Sequence, residues 1–106
     1  MSDDCIFCKI SSGQMDTEFL YEDDQCVVFN DINPKAKTHL LIVSKRHLPS
    51  LADAQESDAE LLSHMLLVAK KVAADKELKG YRVQIHTGRE GGQEVFHLHY
   101  HLMSPF

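Results

Sequence analysis

Apolar and polar positions along this chain change period several times, and each change marks an element. Residues Cys5-Ile6-Phe7-Cys8-Lys9-Ile10 form a compact apolar group that runs into Ser11-Ser12-Gly13, which predicts a short helix stopped by Gly13. Two β-rich runs, 18–22 and 25–30, flank Asp23-Asp24 and predict a tight hairpin. Asp31-Ile32-Asn33-Pro34 reads as a turn, because proline pushes the residue before it away from helical backbone. The run Thr38-His39-Leu40-Leu41-Ile42-Val43-Ser44 predicts a central strand, closed by Lys45-Arg46-His47-Leu48-Pro49. The period then becomes helical. Ser57-Asp58-Ala59-Glu60 has the form of a capping box, with Ser57 accepting from the Glu60 amide. Leu61, Met65, Val68 and Val72, with Leu62, Leu66, Ala69 and Ala73 beside them, make an apolar stripe that ends towards Gly80. Such a helix runs about 22 residues, or ~33 Å. Residues 81–86 and 95–103 predict two more strands around a glycine-bearing loop. The order is α+β: a five-stranded antiparallel sheet with one short N-terminal and one long helix.

Composition narrows what this scaffold can do. At 106 residues the chain suits one domain, 1–106. It has no apolar run near the ~20 residues that span a bilayer, and Met1-Ser2-Asp3-Asp4 is unlike a signal peptide, so no membrane partner is expected. A net charge of -5 argues against DNA or RNA as the main ligand, though not against a small phosphate compound. Three cysteines, Cys5, Cys8 and Cys26, fit a reducing, cytoplasmic compartment. Cys26 lies in a strand and reads as core, and His64, on the long helix, as a surface or interface residue.

Seven histidines are many for this length, and three fall at 97, 99 and 101. On a strand these share one face, with about 6.6–6.8 Å between successive side chains. Phe96, Leu98, Tyr100 and Leu102 take the opposite face, suited to packing under the long helix. One such histidine is an ordinary polar strand position. Three in strict alternation point to chemistry, since other polar residues would serve solubility equally well. Imidazole ordinarily titrates at ~6.5, so one ring can be a neutral nucleophile while a neighbour is a cationic acid. A neutral ring that attacks phosphorus needs its other nitrogen protonated and held.

The run His97-Leu98-His99-Tyr100-His101-Leu102-Met103 resembles the histidine triad pattern, three histidines separated by apolar residues. Gly91-Gly92-Gln93-Glu94-Val95-Phe96 resembles the lead-in of the same family. So do Phe29-Asn30-Asp31-Ile32-Asn33-Pro34 and Thr38-His39-Leu40 upstream. The likeness covers nearly the whole chain and is closest to the Hint branch, the histidine triad nucleotide-binding proteins. It implies a homodimer of edge-joined sheets that binds a purine nucleoside monophosphate and hydrolyses nucleoside phosphoramidates or adenylated compounds. By that resemblance His99 is the nucleophile that forms a nucleotidyl-histidine, His101 contacts the phosphate, and His39 supports the relay.

The same resemblance gives Asp31 to the ribose hydroxyls, although an Asp before Asn-Pro is also a good turn former. It sets Phe29, Ile32, Ile6 and Ile10 around the base, positions that equally suit a core. Gly92, Gln93 and Glu94 match the loop that offers donors to the phosphate. His86 departs from the pattern, standing where the family usually has an amide side chain, and this bears on leaving-group preference and pH response. The sequence also ends at Ser104-Pro105-Phe106, without the Gly-Gly continuation and Trp-Pro-Pro tail of well-known Hint members.

Cys5-x-x-Cys8 is half of a zinc site, or two small apolar residues on one helix turn. Histidine triad proteins with this start imply the other half. By that resemblance Cys5, Cys8, His47 and His97 make a closed Cys2His2 structural zinc site. Two further readings stand beside the leading one: a dinucleoside polyphosphate hydrolase, and a non-catalytic nucleotide-binding module.

Overall fold

The computed structural model describes residues 5–105; the acidic start Met1-Ser2-Asp3-Asp4 and Phe106 lie outside the described residues. Helix α1 spans Ile6–Ser11, and strands β1 (Tyr21–Glu22), β2 (Cys26–Asn30) and β3 (Thr38–Ser44) follow. Helix α2 covers Ala59–Asp75, before β4 (Arg82–Gln84) and β5 (His99–Ser104). The five strands form an antiparallel sheet in the order β1-β2-β3-β5-β4. The last strand therefore sits at the centre, inserted between β3 and β4.

Alternation along the strands divides the apolar residues between two faces. Cys26 and Val28, Leu40 and Ile42, Tyr100 and Leu102 pack with Met65, Val68, Ala69 and Val72 of α2. Val27, Phe29, Leu41 and Val43 pack on the other face with Phe7 and Ile10 of α1. Side chains two apart share a face, so His39 goes with Leu41, and His99 and His101 go with the thinner, α1-covered side. The long helix insulates one face, and the short helix leaves room beside it on the other.

Several boundaries differ from the periodicity, each for a local reason. Helix α2 has 17 residues and does not start from a Ser57/Glu60 capping box. A 3-10 turn, Glu56–Asp58, precedes it, and there the buried Asp58 carboxylate accepts the Gln55 N–H at 2.9 Å. Arg46 supplies the countercharge to Asp58. The helix ends before Gly80 because Glu77 takes the left-handed backbone, φ 58°, and closes the end with Leu78 N–H to Ala73 O at 3.0 Å. Leu66 turns away from the stripe and is exposed. At α1, Gly13 (φ 84°) does act as the stop, with Gln14 N–H on Lys9 O at 2.9 Å.

The final strand begins later than the alternation 95–103 suggests. His97 N–H bonds Val95 O and Leu98 N–H bonds Leu48 O, which bends the chain ahead of β5. His97 is thereby removed from the strand, and Phe96 is left exposed instead of packed under α2. His64 is held rather than free: its Nε2 lies 2.6 Å from Asp23 Oδ2, tying α2 to the β1–β2 turn. Cys26 is fully buried core, as its strand position predicts.

Candidate active site

On the α1 face, each imidazole has its proton assigned by what lies behind it. His99 donates its Nδ1–H to the His97 carbonyl at 2.6 Å, so the neutral ring keeps a lone pair on Nε2. His101 receives its tautomer through two steps. The backbone N–H of Lys35 donates to His39 Nδ1 at 2.9 Å, which leaves the His39 proton on Nε2. That proton is donated to His101 Nδ1, also at 2.9 Å, so His101 carries its own proton on Nε2. Asp31 Oδ2, 3.4 Å from His39 Nε2, shares the same proton. Two rings with centroids 5.0 Å apart therefore present opposite capacities, His99 a lone pair and His101 an N–H.

Burial keeps these rings neutral. It pushes His39 and His99 down from the ordinary imidazole range, and His101 down to about 4, with the neighbouring histidines adding to the last shift. His101 is thus not the cationic neighbour that the histidine row suggests, because desolvation disfavours the charged form.

The rings open onto a cleft of ≈ 710 Å³, a size typical of small-ligand sites. Ile6 and Ile10 of α1, Phe29, and the 91% exposed Ile32 line it. Ile32 has no core role. Asp31 stands at the same wall, its Oδ1 accepting the Asn33 N–H at 2.8 Å. Phe7 was not singled out by the sequence, yet it lines the cleft and meets His99 edge-on at 4.9 Å and 87°. Its place one turn from Ile10 and Ser11 was the available signal.

The glycine loop is only partly as expected. Gly92, with φ 88°, and Glu94 line the cleft. Gln93 does not: its side chain is 4% exposed, accepts the Gly88 N–H, and donates to Pro49 O and Val95 O. These bonds hold the loop to itself and to Pro49, so the Gln93 amide is a brace for the loop and not a phosphate donor. His86 faces the cleft, stacked on His101 at 4.2 Å and 22°, with Nε2 at 3.3 Å from Gln84 Oε1.

At the other end of α1 a second set of donors converges. His97 Nε2–H donates to the Ser44 carbonyl at 2.6 Å, turning its Nδ1 lone pair inward. That atom lies 3.2 Å from Cys5 Sγ, 3.4 Å from Cys8 Sγ and 3.1 Å from His47 Nδ1. Cys8 Sγ is 3.3 Å from His47 Nδ1. Donors about 2.0–2.3 Å from a tetrahedral ion sit roughly 3.3–3.8 Å apart, so two sulfurs and two imidazole nitrogens in this arrangement fit zinc. The Ser44 carbonyl is the outer partner that metal-bound histidines ordinarily have. Burial pushes the Cys8 thiol up to about 11.

Two other clusters of potential ligands do not fit a metal. Asp31, His39 and His101 converge, but the Lys35 N–H leaves His39 Nε2 protonated and therefore not a ligand. In Asp23, Cys26 and His64 the carboxylate already accepts Tyr21 O–H, His64, and the N–H groups of Gln25 and Cys26. Those four bonds use its lone pairs.

Known proteins resemble this chain along nearly its whole length. The family described as "Scavenger mRNA decapping enzyme C-term binding" matches residues 4–106. A HIT-like protein of Synechocystis is 45% identical over 100% of this chain and 96% of its own. Protein HitA of Neisseria gonorrhoeae is 46% identical over 95% of each. A solved histidine triad protein from Clostridium difficile superposes with TM-score 0.95 at 42% identity, covering 100% of this chain and 94% of the other. A HIT family hydrolase from Legionella pneumophila gives TM-score 0.94 at 41% identity, covering 97% and 94%.

Proposed function

Because the chain belongs to the histidine triad family, we propose that it is a nucleotidyl hydrolase or transferase working at the α-phosphate of purine nucleotides. Phosphoramidates and adenylated compounds are the substrates. The observation that carries this reading is the opposed proton inventory of His99 and His101 on one wall of one cleft.

His99 Nε2 attacks phosphorus and the bond to the leaving group breaks, giving a nucleotidyl-histidine; water then attacks the same phosphorus and the P–N bond breaks. The His97 carbonyl stabilises the positive charge that grows on the His99 ring as it attacks. His101 Nε2–H donates to a phosphate oxygen, with Gly92 and Glu94 bounding the loop beside it. Asp31, a bidentate acceptor, takes the ribose hydroxyls, and Ile6, Ile10, Phe29 and Ile32 enclose the base. The dry walls strengthen each of these polar contacts.

Zinc held by Cys5, Cys8, His47 and His97 has four protein ligands and no open position, so it supplies structure rather than chemistry. It ties α1, which walls the base site, to the bend before β5. The family resemblance adds homodimerisation through a sheet edge, and the free cysteines suit a reducing cytoplasm. Among the described residues no helix is long and apolar enough to cross a membrane.

The test is stereochemical. A nucleoside phosphoramidate made chiral at phosphorus with sulfur, hydrolysed in oxygen-18 water so that the product is also chiral, should react with retention, the outcome of two displacements. Inversion would remove the covalent intermediate. A panel of phosphoramidate, diadenosine polyphosphate and capped dinucleotide substrates identifies the leaving group. Nucleotide binding with no turnover of any of these would leave a binding module.

A further inference from the structure

The relay behind His101 holds a proton but cannot supply one. It runs from His101 to His39 and ends at the backbone N–H of Lys35, a peptide group that does not ionise. If His101 released its Nε2 proton, nothing behind it could replace the charge. His99 is committed as well, one nitrogen to the His97 carbonyl and the other to phosphorus. Yet expelling an amine or an oxygen from phosphorus requires a proton, and the later attack by water releases one.

We propose that His86 is the proton donor to the leaving group and, in the second step, the acceptor of the proton from water. This rests on the nucleotidyl-transfer reading. Gln84 Oε1 can only accept, so His86 Nε2 keeps its proton and Nδ1 is the nitrogen that gains or loses one. Among the described residues nothing hydrogen-bonds Nδ1. That atom faces the glycine loop, 3.8 Å from where a Cβ on Gly92 would stand. Stacking on His101 at 4.2 Å sets the ring beside the phosphate-facing N–H, and a neutral His101 tolerates a cation stacked on it.

The protons balance. Imidazolium His86 passes its Nδ1 proton to the departing nitrogen or oxygen as the bond to phosphorus breaks. Neutral His86 takes a proton from the attacking water as the bond to His99 breaks, which restores the imidazolium. The groups that face this ring and bear on its charge are His99 and His101 on β5, His39 on β3, Asp31 and Lys35 between β2 and β3, and Glu94 on the loop.

His86→Asn and His86→Gln in the full chain test the assignment with two amine leaving groups. For a phosphoramidate of an alkylamine, which needs its proton, kcat/KM should fall about 10²-fold or more. For an aryl analogue whose amine leaves unaided, kcat/KM should stay within about threefold while kcat falls, because hydrolysis of the nucleotidyl-histidine still needs His86. Equal losses of kcat/KM on both substrates, or none on either, overturn the proposal. A second readout needs no turnover. The ratio of the adenosine monophosphate Kd of His86→Asn to that of wild type should rise about tenfold from pH 8 to pH 6, because a charge-assisted bond to phosphate is lost. A methyl ester of adenosine monophosphate, singly charged across this range, run in parallel removes the nucleotide's own titration. A ratio constant with pH overturns the proposal even in a protein that hydrolyses nothing, whereas a rising ratio with no turnover overturns the nucleotidyl-transfer reading and the proton-transfer role with it, leaving His86 as a phosphate contact.

Discussion

Two histidine clusters flank α1, and they are built on opposite principles. In the Cys5–Cys8–His47–His97 cluster four ligand atoms converge on one place, with contacts of 3.1–3.4 Å between them. In the His39–His101 relay and at His99, donors and acceptors alternate, so each hydrogen bond fixes the next. The first arrangement suits a cation between the atoms; the second is satisfied by protons alone. His97 belongs to both, giving its Nδ1 to the first cluster and its carbonyl to His99 in the second. The contrast teaches that five histidines can be split between architecture and chemistry by which nitrogen of each ring is left free.

The largest effect expected is on the architectural cluster. Replacing Cys8 by Ser, or stripping the metal with a strong chelator, should remove zinc and cost several kcal/mol of stability, because structural zinc binding is folding free energy. Metal content and thermal melting check this. An unchanged Tm after complete zinc loss would make the cluster dispensable and void the contrast.

His99→Asn should do the reverse. Turnover should fall by about 10⁴-fold or more with zinc content retained and Tm nearly unchanged, as expected for a nucleophile. Measuring kcat together with adenosine monophosphate binding separates lost chemistry from lost binding; weaker binding by the same factor would mean that His99 is a contact and not a nucleophile.

A smaller loss, about 10²-fold in kcat, is expected for His39→Phe, which removes the donor that assigns the His101 tautomer. Nucleotide affinity should change much less than kcat. Matched losses in both would place His39 in the binding wall alone.

The smallest effect concerns acid. His101 is depressed to about 4 by burial, so it is neutral in the folded chain while the unfolded chain protonates it near ~6.5. The unfolded state thus binds more protons between those values. Stability from this group is complete above ~6.5 and is lost as pH falls towards 4, by on the order of 1 kcal/mol after allowance for solvent screening. Denaturant melts of wild type and His101→Gln across that window should converge as pH falls. Parallel curves would show that the ring is not buried as a neutral group.

Much of this was legible along the chain because it is a matter of local pattern. Strand periodicity separated Leu40 and Ile42 from Leu41, and Tyr100 and Leu102 from His99 and His101. The histidine alternation, the paired cysteines and the Asp31 turn singled out residues that line the cleft or the donor cluster. Where the pattern misled, a long-range contact had overridden a local preference. Gln93 was drawn out of the cleft by Pro49, 44 positions away in sequence, and the Leu48 carbonyl bent the chain so that His97 left its strand. Phe7 lacked a motif of its own.

The sequence by itself determined which side chains could share a face, since periods of 2.0 and 3.6 follow from backbone geometry. It determined too that imidazoles and thiols were available in number. Only the tertiary structure decided which nitrogen of each imidazole bears the proton. That choice is made by whatever lies behind the ring, a carbonyl at 97 and 44 or a peptide N–H at 35, and those groups reach the rings through strand pairing and bends that no local pattern records.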